Sequence, residues 1–139
     1  MNPVDRHTLA RKLEYLRKQL EALDTYRPLP RDEILANPER RLAVERLLEL
    51  SIQSVIDISR LLVALQDWRR IRDERDALLI LADRGVIPGE LADRLLKAKG
   101  FRNVLVHEYV EIDAELLVKH LTEDVGDLWA FARWIANQL

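Results

Sequence analysis

NPERRLAVERLLELSIQSVIDISRLL, residues 37–62, is the stretch on which the fold turns. Asn37 followed by Pro38 is a helix start: a side chain able to cap free amides, then a proline whose missing N–H costs nothing in the first turn. The pattern predicts one long helix from Pro38 to about Trp68. Leu42, Val44, Leu47, Leu48, Leu50, Ile52, Val55, Ile56, Ile58, Leu61 and Leu62 fall along it. From Leu47 onward they occupy more than one face. A helix that is apolar on several sides is covered on several sides. In a chain of 139 residues the simplest cover is a second subunit, so the expectation is a homodimer.

Upstream, Leu9, Leu13, Leu16, Leu20 and Leu23 are spaced four, three, four, three, which predicts a first helix over about Asp5–Asp24 with a narrow apolar seam. Pro28 and Pro30 break it, and RDEILA has room for one short turn of helix. Downstream, a third helix is expected over about Asp73–Asp83, stopped by Gly85. Pro88 opens a fourth. The chain restarts at Ile112-Asp113, and a fifth helix runs over about Asp113–Ala136. Period-2 alternation and Asn-Gly or Asp-Gly hairpin turns are missing. The expected fold is all-α, an antiparallel bundle of about five helices in a single domain, 1–139.

Composition narrows the function. A net charge of −2 with 33% charged residues describes a mixed surface, with no global basic field for nucleic acid, although a local basic patch can bind phosphate in such a protein. Without cysteine there is no disulfide, thiolate metal site or cysteine nucleophile. His7, His107 and His120 lack ligand spacing, so no metal and no cofactor is expected. No apolar run is long enough for a membrane span, and the N-terminus lacks a signal-peptide core, so the expectation is a cytoplasmic protein with no membrane partner. The run WRRIRDER brings Arg69, Arg70, Arg72 and Arg75 together. It can attract RNA backbone, but with Asp67, Asp73 and Glu74 beside it such a run is more often a solvated loop and helix start.

FRNVLVHEY, residues 101–109, carries polar groups where leucines would serve packing. On a wheel at about 100° per residue, Leu91, Leu95, Ala98, Leu105 and Val106 form a stripe with Arg102 in its middle. Asn103 and His107, four apart, share the adjoining flank. Asp93, Arg94, Lys97 and Glu108 take the solvent side. Singly, such a histidine is usually a satisfied core group, and such an arginine an ion pair, with Asp57 the candidate partner. Together they fit a cleft whose ligand carries the missing charge, because a buried guanidinium is costly without a partner.

Arg102-Asn103-x-x-x-His107-x-Tyr109 resembles the R-x4-H-x-Y signature of the HepT-like toxins in the HEPN superfamily. The resemblance extends over nearly the whole chain, through SIQSVIDISRLL and LLILADRGVIPGELADRL. Arg60 departs from it, standing where relatives often carry a histidine after the Asp-Ile pair. The resemblance implies an endoribonuclease toxin, a homodimer whose two motifs meet in an interface cleft, and a small nucleotidyltransferase antitoxin of the MntA type that adds AMP to the motif tyrosine, here Tyr109.

The chemistry fits these residue types. Metal-free RNA cleavage needs a proton acceptor, a proton donor and a cation at the phosphorus. His107 suits the proton transfers and Arg102 the charge. Asn103 is a candidate to hold the phosphate or orient His107. Asp57 is a candidate to orient Arg102 or His107, or equally a plain structural ion-pair partner. The alternative is a non-catalytic HEPN dimer that binds nucleotide or RNA, or docks a nucleotidyltransferase.

Overall fold

The computed structural model describes residues 1–107 and 113–139; the side chains of residues 106 and 107 fall outside the described groups. The described residues form six helices and no strand: α1 (Pro3–Tyr26), α2 (Arg31–Leu35), α3 (Pro38–Leu65), α4 (Asp76–Asp83), α5 (Gly89–His107) and α6 (Ala114–Ala136). The helix beyond the expected five is α2, the short turn anticipated in RDEILA.

Local chemistry sets the helix ends. Asn2 Oδ1 accepts from the Asp5 amide at 2.8 Å, and Asn37 Oδ1 accepts from the amides of Glu39 and Arg40 at 3.0 and 3.1 Å. Asp113 Oδ1 caps α6 through the Glu115 amide at 2.9 Å. Gly85 closes α4 at φ +72°, where the Val86 amide reaches back to the Leu81 carbonyl at 2.9 Å. The same closure ends α3 without a glycine. Asp67 takes φ +51°, and the Trp68 amide reaches the Val63 carbonyl at 3.2 Å. The long helix therefore stops at Leu65, short of the expected Trp68. A left-handed aspartate is uncommon, which is why the pattern did not announce it.

The α1 seam is core throughout: Leu9, Leu13, Leu16, Leu20 and Leu23 are all buried. α3 is the centre of the bundle, with α1, α2, α4, α5 and α6 packed on it. This corrects the ground for expecting a second subunit. Leu48, Ile52, Val55, Ile56, Ile58, Leu62 and Val63 are at most 2% exposed within the single chain. The chain's own helices cover the broad apolar perimeter, each buried aliphatic side chain contributing about 1.5–3 kcal/mol. What α3 leaves to solvent is a narrow stripe through Leu42, Arg46, Asp57, Arg60 and Ala64.

Candidate active site

α5 buries Leu91, Ala92, Leu95, Ala98 and Phe101 against the core and leaves Asp93, Arg94 and Lys97 in solvent, as the wheel requires. Phe101, absent from the stripe read in the sequence, is 4% exposed. Arg102 follows it and is half-buried. Its Nη1 donates to Asn103 Oδ1 at 3.0 Å, while its Nε is buried with no hydrogen-bond partner among the described residues. The structure therefore brings Arg102 and Asn103 into direct contact. His107 is the last residue of α5, and Tyr109 lies outside the described residues, as does the His107 side chain.

Asp57 is elsewhere. Its carboxylate is exposed, accepts from Gln53 Nε2 at 2.8 Å, and lines a small groove of about 110 Å³ between α1 and α3 with Lys12, Tyr15, Ser54 and Ile58. Among the described residues no ion pair joins it to Arg102. Among the described residues Arg102 makes no ion pair with any acid.

Sequence reading passed over a second constellation, on α6. The His120 ring lies on the Phe101 ring at 3.9 Å between centroids and 8° between planes, and His120 Nδ1 meets Asp124 Oδ2 at 2.7 Å. Burial pushes the Asp124 carboxyl above its ordinary range, against the pull of the imidazole hydrogen bond. The available signal was the His-x-x-x-Asp spacing, which places both groups on one helix face.

The basic run is partly consumed by its own acids. The Asp76 side chain, buried at the start of α4, accepts from Arg69 Nη1 at 2.7 Å and from the Arg72 amide at 3.0 Å. Those donors hold its carboxyl well below the usual range, and the pairing raises the Arg69 guanidinium in return. Glu74 reaches across to Lys99 Nζ at 3.2 Å, which ties the loop to α5 one turn before Arg102. Arg84 sits over the Trp68 ring at 5.3 Å.

A family model described as ribonuclease HepT-like matches residues 16–135. The chain belongs to the HepT-like ribonuclease family. Among curated proteins it is 31% identical over 102 residues to a tRNA nuclease HepT of Aphanizomenon flos-aquae, covering 73% of this chain and 69% of that one. Its fold matches a toxin–antitoxin crystal structure with AMP-PNP at TM-score 0.83, 20% identity and coverage of 93% of this chain and 97% of that one. It also matches a tri-AMPylated Shewanella oneidensis HEPN toxin in complex with an MNT antitoxin, at TM-score 0.77, 22% identity and 99% coverage of both chains. This HepT-like chain therefore has the all-α HEPN fold expected of it, with the Arg-Asn pair of its motif near the C-terminal end of α5.

Proposed function

We propose that this HepT-like protein is the toxin of a toxin–antitoxin pair, a metal-independent endoribonuclease acting on RNA in the cytoplasm. The observation that carries the reading is the Nε of Arg102, buried and without a hydrogen-bond partner among the described residues. A guanidinium with one donor committed to Asn103 and another left without an acceptor is prepared for an oxyanion. An RNA phosphodiester supplies one.

In this reading two chains pair so that both motifs face one cleft. One His107 takes the proton of the ribose 2′-OH, whose oxygen attacks the adjacent phosphorus. Arg102 holds the added negative charge through its fork. The other His107 gives a proton to the departing 5′-oxygen. The products are a 2′,3′-cyclic phosphate and a 5′-hydroxyl. Asn103 keeps the Arg102 fork aimed at the phosphate. Asp57, which makes no ion pair with Arg102 among the described residues, is assigned an orienting role toward Arg102 or His107, within its own chain or across the pair.

Neutralisation is assigned to a small nucleotidyltransferase of the MntA type. The Tyr109 hydroxyl attacks the α-phosphorus of ATP and releases pyrophosphate, leaving an AMP whose phosphate occupies the Arg102 site. The complexes formed by the fold's toxin neighbours support this partner. The end groups of the RNA products test the chemistry: cyclic phosphate and 5′-hydroxyl ends are expected. Ends bearing 3′-hydroxyl and 5′-phosphate contradict the 2′-OH mechanism. Tight RNA binding without cleavage favours the non-catalytic dimer instead.

A further inference from the structure

Between α5 and α6 runs a groove of about 690 Å³, lined by Arg94, Lys97, Lys119, His120, Glu123, Asp124 and Asp127. That volume is in the range of small-ligand sites. By formal count its charges nearly cancel, but pairing changes what an incoming strand meets. Asp127 is held by Arg94 at 3.0 Å, and Asp124 faces His120 at 2.7 Å. Burial further disfavours the charged form of Asp124. Among the described residues Lys97 and Lys119 make no ion pair, and both are exposed, one on each bank. Glu123 makes no ion pair among the described residues.

The groove adjoins the motif. His120 is one of its lining residues and is stacked on Phe101, the residue before Arg102. Lys97 lies on α5 five residues before Arg102, about 7.5 Å along the axis and roughly 140° around it, so a strand held at Lys97 curves around α5 to reach Arg102.

We propose that the α5–α6 groove is a phosphate subsite for the RNA strand, in which Lys97 and Lys119 hold a phosphodiester next to the one bound at Arg102. The inference rests on the ribonuclease reading. The lysine ammonium groups act as point charges, so the subsite takes backbone of any sequence. It sets strand register and leaves the chemistry to Arg102 and His107.

The test uses the full chain and a short single-stranded RNA, comparing wild type, the Lys97→Ala/Lys119→Ala double variant, and Lys18→Ala on the exposed side of α1 as a charge control. All three sites are exposed, so the fold is kept. The double variant should raise KM several-fold with kcat little changed, and Lys18→Ala should match wild type. The slope of log Kd against log salt should flatten by roughly 0.7, the contribution of one lost phosphate contact on a single strand. If wild type cleaves and the double variant keeps its KM and salt slope, the subsite is wrong and the nuclease stands. If wild type neither binds nor cleaves RNA, both fail.

Discussion

The imidazole of His120 lies flat against Phe101, 3.9 Å between ring centroids and 8° from parallel, with Asp124 fixing the far side of the ring through a 2.7 Å hydrogen bond. This couples α6 to the residue next to Arg102. His120→Ala removes the stack and leaves Asp124 buried without its partner. Stacked aromatic pairs contribute about 0.5–1.5 kcal/mol beyond their area, and a stranded buried acceptor costs about 1–3 kcal/mol. Urea unfolding should therefore show a loss of roughly 2 kcal/mol or more. An unchanged midpoint would mean the contact does not tie the two helices together.

Arg102 gives a contrasting expectation. Its Nε is buried and unsatisfied among the described residues, so the folded chain gains little from it. Arg102→Ala should leave stability unchanged or slightly raised, while cleavage falls by about 100- to 1,000-fold, as for loss of a charge-stabilising donor. Arg102→Lys should not restore activity, because an ammonium lacks the fork. A marked fall in melting temperature on Arg102→Ala would assign the residue to packing.

Asp76 makes stability depend on pH. Its donors Arg69 and the Arg72 amide hold its folded pKa well below the unfolded value. The unfolded chain then binds more protons than the folded one, so the contribution is present above the ordinary carboxylate pKa and is lost as pH falls below it. Wild type should be more stable than Asp76→Asn at pH 7, and the gap should begin to narrow below about pH 4 and vanish only as pH falls through the depressed folded pKa. A gap independent of pH would show that charge is not its source.

How legible was all this beforehand? The α1 leucine seam, the Asn37-Pro38 start and the Gly85 stop were plain, because each depends on residues within a few positions. The end of α3 was hidden, since Asp67 adopts a glycine-like conformation without being glycine. The loop after it was read as a helix start at Asp73. Instead Asp73 Oδ1 caps the amides of Arg75 and Asp76, and the helix begins at Asp76. The motif pair Arg102–Asn103 was visible as adjacent residues. The His120–Phe101 stack joins two helices, and no single-helix periodicity reports it.

The apolar breadth of α3 was misjudged for the same reason: single-helix periodicity does not say which neighbours cover the helix. Ile56 is 1% exposed inside one chain. Ile56→Glu should unfold or aggregate the protomer, since an unpaired charge would replace a core side chain. Leu42, 64% exposed, is the informative position on this helix. If the proposed two-fold interface uses the open stripe of α3, Leu42→Glu should yield a folded monomer by light scattering. A folded dimer would place the interface elsewhere. A folded Ile56→Glu monomer would overturn the burial argument.

Tyr109 carries the proposed switch. Tyr109→Phe keeps the ring and loses only the hydroxyl, so RNA cleavage should persist. Co-expression with an MntA-type nucleotidyltransferase should add AMP mass to wild type and none to the variant. An adduct on Tyr15 or Tyr26, or a neutralised Tyr109→Phe, would mean that the antitoxin masks the cleft instead.

The central claim is metal-free cleavage by His107 beside Arg102. Purified wild type and His107→Ala, incubated with total RNA in EDTA, test it directly. Wild type should cleave, and His107→Ala should be slower by about 100- to 10,000-fold, the usual loss for a general acid–base residue. Cleavage abolished by EDTA, or retained in full by His107→Ala, would contradict the account.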